Sequence, residues 1–152
     1  MFDPLTCIGG IIKLEGGRLT QYMDIRFPTA TTGEMLVQQL SAAAGGFGAD
    51  YVSGRTAEPF YVPATSAPIQ TLVQVYNEVT GQNKKPFTMG GGTYARHFSH
   101  AVSFGPEEMG EVKPAFAGPI HGADEGISIE GMFRALKIYI LALWRLQQLQ
   151  YR

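Results

Sequence analysis

Three short segments of the sequence combine residue types that could bind or react. DIRFP at 24–28 places a carboxylate and a guanidinium two residues apart. GGGTYAR at 90–96 joins three glycines to a hydroxyl and a second guanidinium. HGADE at 121–125 places an imidazole beside two carboxylates. In that order, the three segments permit carboxylate recognition, ligand binding by backbone amides, and metal ligation.

Arg26 has two interpretations from its spacing alone. It shares one side of a predicted strand with Asp24, because alternate strand residues face the same way. The two side chains could therefore form a surface ion pair, which contributes less than about 1 kcal/mol. Alternatively, the guanidinium offers its planar pair of donors to a substrate carboxylate.

The glycine triplet suits a backbone that must approach a ligand closely, since no Cβ stands in the way. Gly90–Ala95 also fits the dinucleotide fingerprint G-x-G-x-x-A in form. That fingerprint should open a helix in a βαβ unit and precede an acidic residue about 20 positions later, and we predict no such unit here. A nucleotide-binding domain is thus a minor alternative, and a tight turn and a ligand loop both stay open.

His121 is a candidate zinc ligand because it lies in a predicted loop with Asp124 and Glu125 close by. Neutral imidazole suits zinc, and a carboxylate can orient the ring. However, a zinc site needs three or four protein ligands, so a locally hydrogen-bonded histidine is the alternative. We interpret His97 and His100 as local polar residues.

The first part of the chain predicts a small α+β unit. Alternating residues predict a strand pair over 8–27, with a turn at Glu15–Arg18 that contains two glycines. Thr31 or Thr32 is placed to cap a helix that begins near Glu34 and stops at Gly45-Gly46. Residues 50–62 are expected to form a polar strand and its return.

The second part predicts two helices joined by irregular chain. The first covers 67–80 and ends at Gly81, and a short strand is expected at 86–89. A long loop over 105–126 then leads to a helix over 128–151. The expected apolar face of this last helix comprises Met132, Phe133, Leu136, Tyr139, Ile140, Leu143 and Leu146.

Composition excludes several function classes. The 152 residues are 45% hydrophobic with a net charge of −1, which argues against disorder and against a basic field for nucleic acid. No apolar run reaches the length of a membrane span, and the first residues lack the features of a secretory signal. The single cysteine, Cys7, fits a reducing compartment, so we expect a cytoplasmic protein.

Taken together, DIRFP, GGGTYAR and HGADE followed by a long helix resemble the C-terminal part of a metal-dependent dipeptidase. The relatives are bacterial dipeptidases related to carnosinase, succinyl-diaminopimelate desuccinylase and aminoacylase. The resemblance covers nearly the whole chain and is strongest over 22–28 and 88–131. It implies an α/β fold class with both domains partial: residues 1–63 as the second half of a ferredoxin-like α+β lid domain, and 64–152 as the C-terminal segment of an α/β catalytic domain.

The resemblance also implies roles for individual residues. His121 matches the last ligand of a two-zinc centre, with Asp124 and Glu125 supporting it. Arg26 matches the lid arginine that meets the substrate carboxylate. Gly91, Gly92 and Thr93 match the family's loop that holds the C-terminal end of the substrate, and Arg96 is expected to support that loop. Gly122 stands where glutamine is commoner, a change expected to loosen the loop.

The family's H-x-D motif, bridging aspartate and catalytic Glu-Glu pair have no counterpart at the matching places, and Glu107-Glu108 follows the glycine loop instead of preceding it. We therefore expect no catalytic residue in this chain, at most one zinc ligand, and no activity from the chain alone. The partners implied are a dipeptide and either the missing N-terminal portion or a second copy. The non-enzymatic alternative is a small α+β interaction or dimerisation module.

Overall fold

The computed structural model describes residues 4–52, 54–105 and 112–149. Its elements are strands β1 (Thr6–Glu15) and β2 (Arg18–Arg26), helices α1 (Gly33–Gly46), α2 (Ala67–Thr80) and α3 (Ile129–Leu146), and a one-turn 3-10 helix at Tyr94–His97. The mixture of helices with a two-stranded sheet confirms the predicted fold class, a partial α/β arrangement.

The chain divides into two compact units. The first comprises the chain up to Tyr61 together with Phe87–His97, and the second comprises Val62–Pro86 together with the chain from Phe98 onward. The chain thus leaves the first unit near the expected boundary at 63 and returns to it for the glycine loop. The assignment of 1–63 to a lid and 64–152 to a catalytic domain stays a prediction.

In the first unit, β1 and β2 form an antiparallel hairpin with an irregularity between Gly9 and Ile12. The connecting glycines Gly16 and Gly17 have φ of 58° and 77°, and the tight turn requires this left-handed backbone. The hairpin and its turn were therefore predicted correctly. Its register places Leu14 opposite Leu19 and Ile12 opposite Gln21, so one face is largely apolar.

Helix α1 begins as predicted at Thr32, whose hydroxyl accepts a 3.2 Å hydrogen bond from the Met35 amide. The predicted strand over 50–62 is wrong, since the described residues of this segment are irregular. The strand predicted at 86–89 is also wrong. A strand needs a partner for its backbone groups, and the hairpin of β1 and β2 is the whole sheet among the described residues.

In the second unit, α2 packs against α3 around a small core. The fully buried side chains are Val75 and Ile138, and the remaining core residues are Leu72, Tyr76 and Ala142. Gly81 closes α2 with φ of 71°, as predicted. Arg145 Nη2 on α3 donates to Glu78 Oε2 on α2 at 2.6 Å, which fixes the pairing at one end.

The predicted apolar face of α3 packs against the core only in part, through Leu146. Met132, Phe133, Leu136, Ile140 and Leu143 are all more than half exposed. Contact with α2 is made instead through Ile138 and Ala142, with Tyr139 meeting Phe104 edge-on at 6.1 Å. α3 thus buries a narrow stripe and leaves its wider apolar surface open.

Candidate functional site

Arg26 is the best-defined candidate, because its guanidinium bridges the end of β2 and the glycine loop. Nε and Nη2 donate to the two Asp24 carboxylate oxygens, both at 3.0 Å. Nη1 donates to the Gly90 carbonyl at 2.8 Å. The structure therefore contains the Asp24–Arg26 ion pair that was the simpler interpretation, and it also brings Arg26 to the predicted substrate loop.

The bridge leaves donor capacity on Arg26. A guanidinium carries five N–H groups, and three are used by Asp24 and Gly90. The other two have no hydrogen-bond partner among the described residues, and the side chain is 48% exposed. Arg26 can therefore hold its own position and still donate to an incoming carboxylate.

The electrostatics of this pair favour the charged forms of both groups. Hydrogen bonding from Arg26 lowers the pKa of the Asp24 carboxyl, and hydrogen bonding to Asp24 raises the pKa of Arg26. Asp24 thus stays ionised where an ordinary aspartate would begin to protonate, and it keeps one side of the guanidinium fixed.

A shallow cleft of about 130 Å³ lies beside Arg26 in the first unit. Its wall includes Phe27, Pro28, Met89 and Gly90. The lining of this cleft is therefore mainly apolar beside the guanidinium. The cleft is small, so it suits a terminal group and not a whole peptide.

The glycine loop is supported at its other end by Arg96. Its Nη2 donates to the Glu58 carbonyl at 2.8 Å. A Cβ at Gly92 would lie only 3.4 Å from Arg96 Nη1, so the guanidinium lies against the loop. The supporting role that the resemblance implies for Arg96 stays a prediction.

No sequence motif pointed to Glu58. Its carbonyl accepts from Arg96, and its carboxylate accepts from the Gly33 amide at 3.0 Å. A carboxylate at the first amide of α1 is favourable because that end of a helix is positive. Glu58 therefore ties α1 to the turn after the glycine loop, across a sequence distance that no local pattern could reveal.

His121 lies in a closed loop of the second unit. Its backbone has φ of 61°, and that of Asp124 has φ of 58°. The His121 amide donates to Glu125 Oε2 at 2.9 Å, and the Gly118 amide donates to the Asp124 carbonyl at 2.8 Å. Glu125 thus braces the His121 backbone, and both residues that the resemblance gives as supports belong to the same turn.

Gly122 fits this loop because the turn has no room for a side chain. Its amide donates to the Pro119 carbonyl at 2.9 Å. A Cβ at Gly122 would lie 2.7 Å from Pro119 Cγ and 3.1 Å from that carbonyl. In this conformation the glycine therefore permits a tight turn, and the expected loosening of the loop stays a prediction.

The described residues do not by themselves make a zinc site. They contain no group of three or more histidine, cysteine, aspartate or glutamate side chains that could hold a metal. His121 is exposed, and its carboxylate neighbour Glu125 meets its backbone amide. Glu107 and Glu108 lie outside the described residues.

The site residues fall into two groups. Arg26, the glycine loop and Arg96 belong to the first unit, and His121, Asp124 and Glu125 belong to the second.

Within the described part of the chain, none of the helices combines the length and apolarity that a membrane span requires.

The chain is similar to bacterial proteins named as dipeptidases. It is 30% identical over 150 residues to a "Putative dipeptidase" of Staphylococcus haemolyticus, covering 96% of this chain and 30% of that protein. It is 29% identical over 132 residues to the Beta-Ala-Xaa dipeptidase of Lactobacillus delbrueckii, covering 86% and 26%. A further "Putative dipeptidase", from Staphylococcus saprophyticus, is 29% identical over 153 residues, covering 96% and 30%.

These similarities support a dipeptidase family, and with it the broader classes of peptidase and hydrolase. The chain spans no more than about 30% of the length of these relatives. No family model matches the sequence, and no solved structure matches it. That the relatives' activity depends on zinc stays a prediction from the resemblance.

Proposed function

We propose that this chain is the part of a zinc-dependent dipeptidase that recognises the terminal carboxylate of the substrate. The observation that carries the proposal is the contact of Arg26 with Gly90, in a chain similar to proteins named dipeptidases along almost its whole length. Arg26 supplies the charge, and Gly91, Gly92 and Thr93 supply backbone and hydroxyl groups.

The arrangement suits a carboxylate for a physical reason. Arginine forms two parallel charge-assisted hydrogen bonds to a carboxylate, which fixes its orientation as well as its position. Asp24 and Gly90 hold the guanidinium from two sides, so little side-chain freedom is lost on binding. A dipeptidase must recognise a free terminus to distinguish a dipeptide from a longer chain.

The zinc centre belongs to this proposal through the resemblance alone. His121 would supply one ligand of two zinc ions, and Asp124 and Glu125 would hold its loop. The general base and the other ligands would come from the remainder of the enzyme. We propose that the chain alone does not hydrolyse peptides and binds zinc weakly, and a cytoplasmic location stays a prediction.

The remainder of a dipeptidase is also the partner that the open apolar surfaces suit. Ile12, Leu14 and Leu19 on one face of the hairpin are 61%, 71% and 68% exposed. An isolated two-stranded hairpin is at best marginally stable in water, and such a surface favours coverage by protein. The relatives are more than three times as long as the segment matched here, so we propose that the rest of that length covers these surfaces.

The same surfaces favour the second candidate function, a small interaction module that pairs with its own copy. Light scattering separates the two. A stable dimer at micromolar concentration supports self-association. A monomer that binds the complementary part of a dipeptidase supports the first proposal.

The test of the main proposal is kinetic. In a full-length dipeptidase that carries this segment, Arg26→Lys should raise KM at least tenfold, because lysine lacks the paired donors of arginine. Arg18→Lys is the matched control, since Arg18 is also exposed and pairs with a carboxylate, that of Asp50, but lines neither cleft near the glycine loop. An unchanged KM for Arg26→Lys would remove this residue from the substrate site.

A further inference from the structure

A second cleft lies on the opposite end of the glycine loop from Arg26. It has a volume of about 340 Å³ and is lined by Arg55, Gly92, Thr93, Tyr94, Arg96 and His97. All of these residues belong to the first unit. The cleft is therefore distinct from the small one beside Arg26, although the same loop borders both.

The lining of this cleft is cationic. Arg55 and Arg96 contribute two guanidinium groups and His97 an imidazole, and no carboxylate lines the cleft. Glu58 is the nearby acidic residue along the chain, but its carboxylate accepts from the Gly33 amide. The positive charge of the cleft is thus not neutralised by its own lining.

The two arginines differ in how they are held. Arg96 is fixed by its hydrogen bond to the Glu58 carbonyl and lies against Gly92. Arg55 is exposed and makes no hydrogen bond or ion pair to the described residues. Arg55 is therefore the group with donors to spare, and Arg96 gives the cleft a fixed charged wall.

We infer that this cleft binds the side-chain carboxylate of an aspartate or glutamate at the C-terminal position of the dipeptide. The inference rests on the proposed function, because it takes the terminal carboxylate to lie at Arg26. The Gly90 carbonyl accepts from Arg26, and a Cβ at Gly92 would lie 3.4 Å from Arg96 Nη1. Two trans peptide units separate these glycines by at most about 7.6 Å, so one small dianionic residue can address both ends of the loop.

The test is a nuclear magnetic resonance titration of the chain with two dipeptides of nearly equal shape, Ala-Glu and Ala-Gln. We expect Ala-Glu to bind about fivefold more tightly, the upper end for one exposed ion pair. Arg55→Gln should reduce this ratio to about one and leave the affinity for Ala-Gln unchanged. Arg18→Gln, in the same unit, should keep the ratio.

The outcomes separate this inference from the proposed function. Equal binding of both dipeptides overturns the acidic cleft but leaves carboxylate recognition at Arg26 intact. Binding of neither dipeptide overturns the proposed function together with the inference. Inorganic phosphate is the third probe, and tighter binding of phosphate than of Ala-Glu would contradict a peptide side chain as the occupant. Circular dichroism verifies that Arg55→Gln retains the fold.

Discussion

The packing of α3 gives the most quantitative prediction. Ile138 and Ile140 lie on the same helix two residues apart, and their relative exposures are 0% and 58%. Ile138→Ala and Ile140→Ala thus make the same chemical change on the same element. They differ in whether the side chain is enclosed by the core with Val75 and Ala142.

The expected magnitudes follow from that difference. Removing a fully buried isoleucine side chain costs the transfer free energy of its methyl groups and leaves a cavity, about 3 kcal/mol in total. At Ile140 less than half of the side chain is buried on folding, and solvent fills the space that the removed isoleucine atoms leave. We expect a cost below about 1 kcal/mol there.

Urea unfolding measures both variants. Trp144, the only tryptophan of the chain, lies on α3, and its fluorescence reports on the second unit. With a typical slope of about 1–3 kcal/mol per molar urea, Ile138→Ala should lower the midpoint by about 1–3 M. Equal shifts for the two variants would refute the assignment of the buried stripe to Ile138 and Ala142.

Three further predictions concern the site and the open surfaces. The pKa of Asp24 is lowered, so its ion pair with Arg26 stabilises the fold fully at pH above the ordinary pKa of 3.8, and this contribution is lost as the pH falls through the lowered pKa. The carboxyl carbon chemical shift of Asp24 should titrate with a midpoint below pH 3.8, and this midpoint should rise in Arg26→Gln. An unchanged midpoint in the variant would contradict the pairing. The double variant Leu14→Lys with Leu19→Lys should reduce binding of a hydrophobic dye severalfold, and unchanged binding would show that this face is not the exposed apolar surface. We expect calorimetry to detect weak zinc binding by the wild-type chain and none by His121→Ala. Hydrolysis that the wild-type chain performs and this variant loses would contradict the proposed inactivity.

Local rules predicted the elements that are defined by local residues. The glycine turn between β1 and β2, the Thr32 cap of α1 and the bounds of α2 all depend on a few neighbouring residues with known backbone preferences. Each of these appears in the structure at the expected place. These turns and caps could therefore be predicted from neighbouring residues alone.

Properties that depend on distant partners were not predictable in this way. Residues 50–62 were predicted to form a polar strand and its return, but they find no strand partner among the described residues. The periodicity of α3 identified its apolar residues correctly, yet α2 meets Ile138 and Ala142 instead of the wider face. Periodicity shows which residues are apolar, whereas the neighbour decides which of them become buried.

The candidate site also combines features that local residues predict with features that depend on distant contacts. The sequence supplied Arg26, the glycine loop and the His121 turn as separate motifs. Their spacing gave two interpretations of Arg26, a surface ion pair or a substrate contact. The structure shows that the ion pair with Asp24 and the contact with Gly90 coexist, because a guanidinium has enough donors for both. The role of Glu58 depends on contacts 25 and 38 residues away, which no motif encodes.

The most direct test of carboxylate recognition compares Ala-Ala with its C-terminal amide on the wild-type chain. The two peptides differ only in the terminal negative charge, which is the feature that Arg26 and the glycine loop are proposed to bind. In a nuclear magnetic resonance titration, Ala-Ala should bind at least fivefold more tightly and shift the backbone amides of Gly91, Gly92 and Thr93. Equal affinities for the peptide and its amide, or shifts that leave these amides unmoved, would contradict the account.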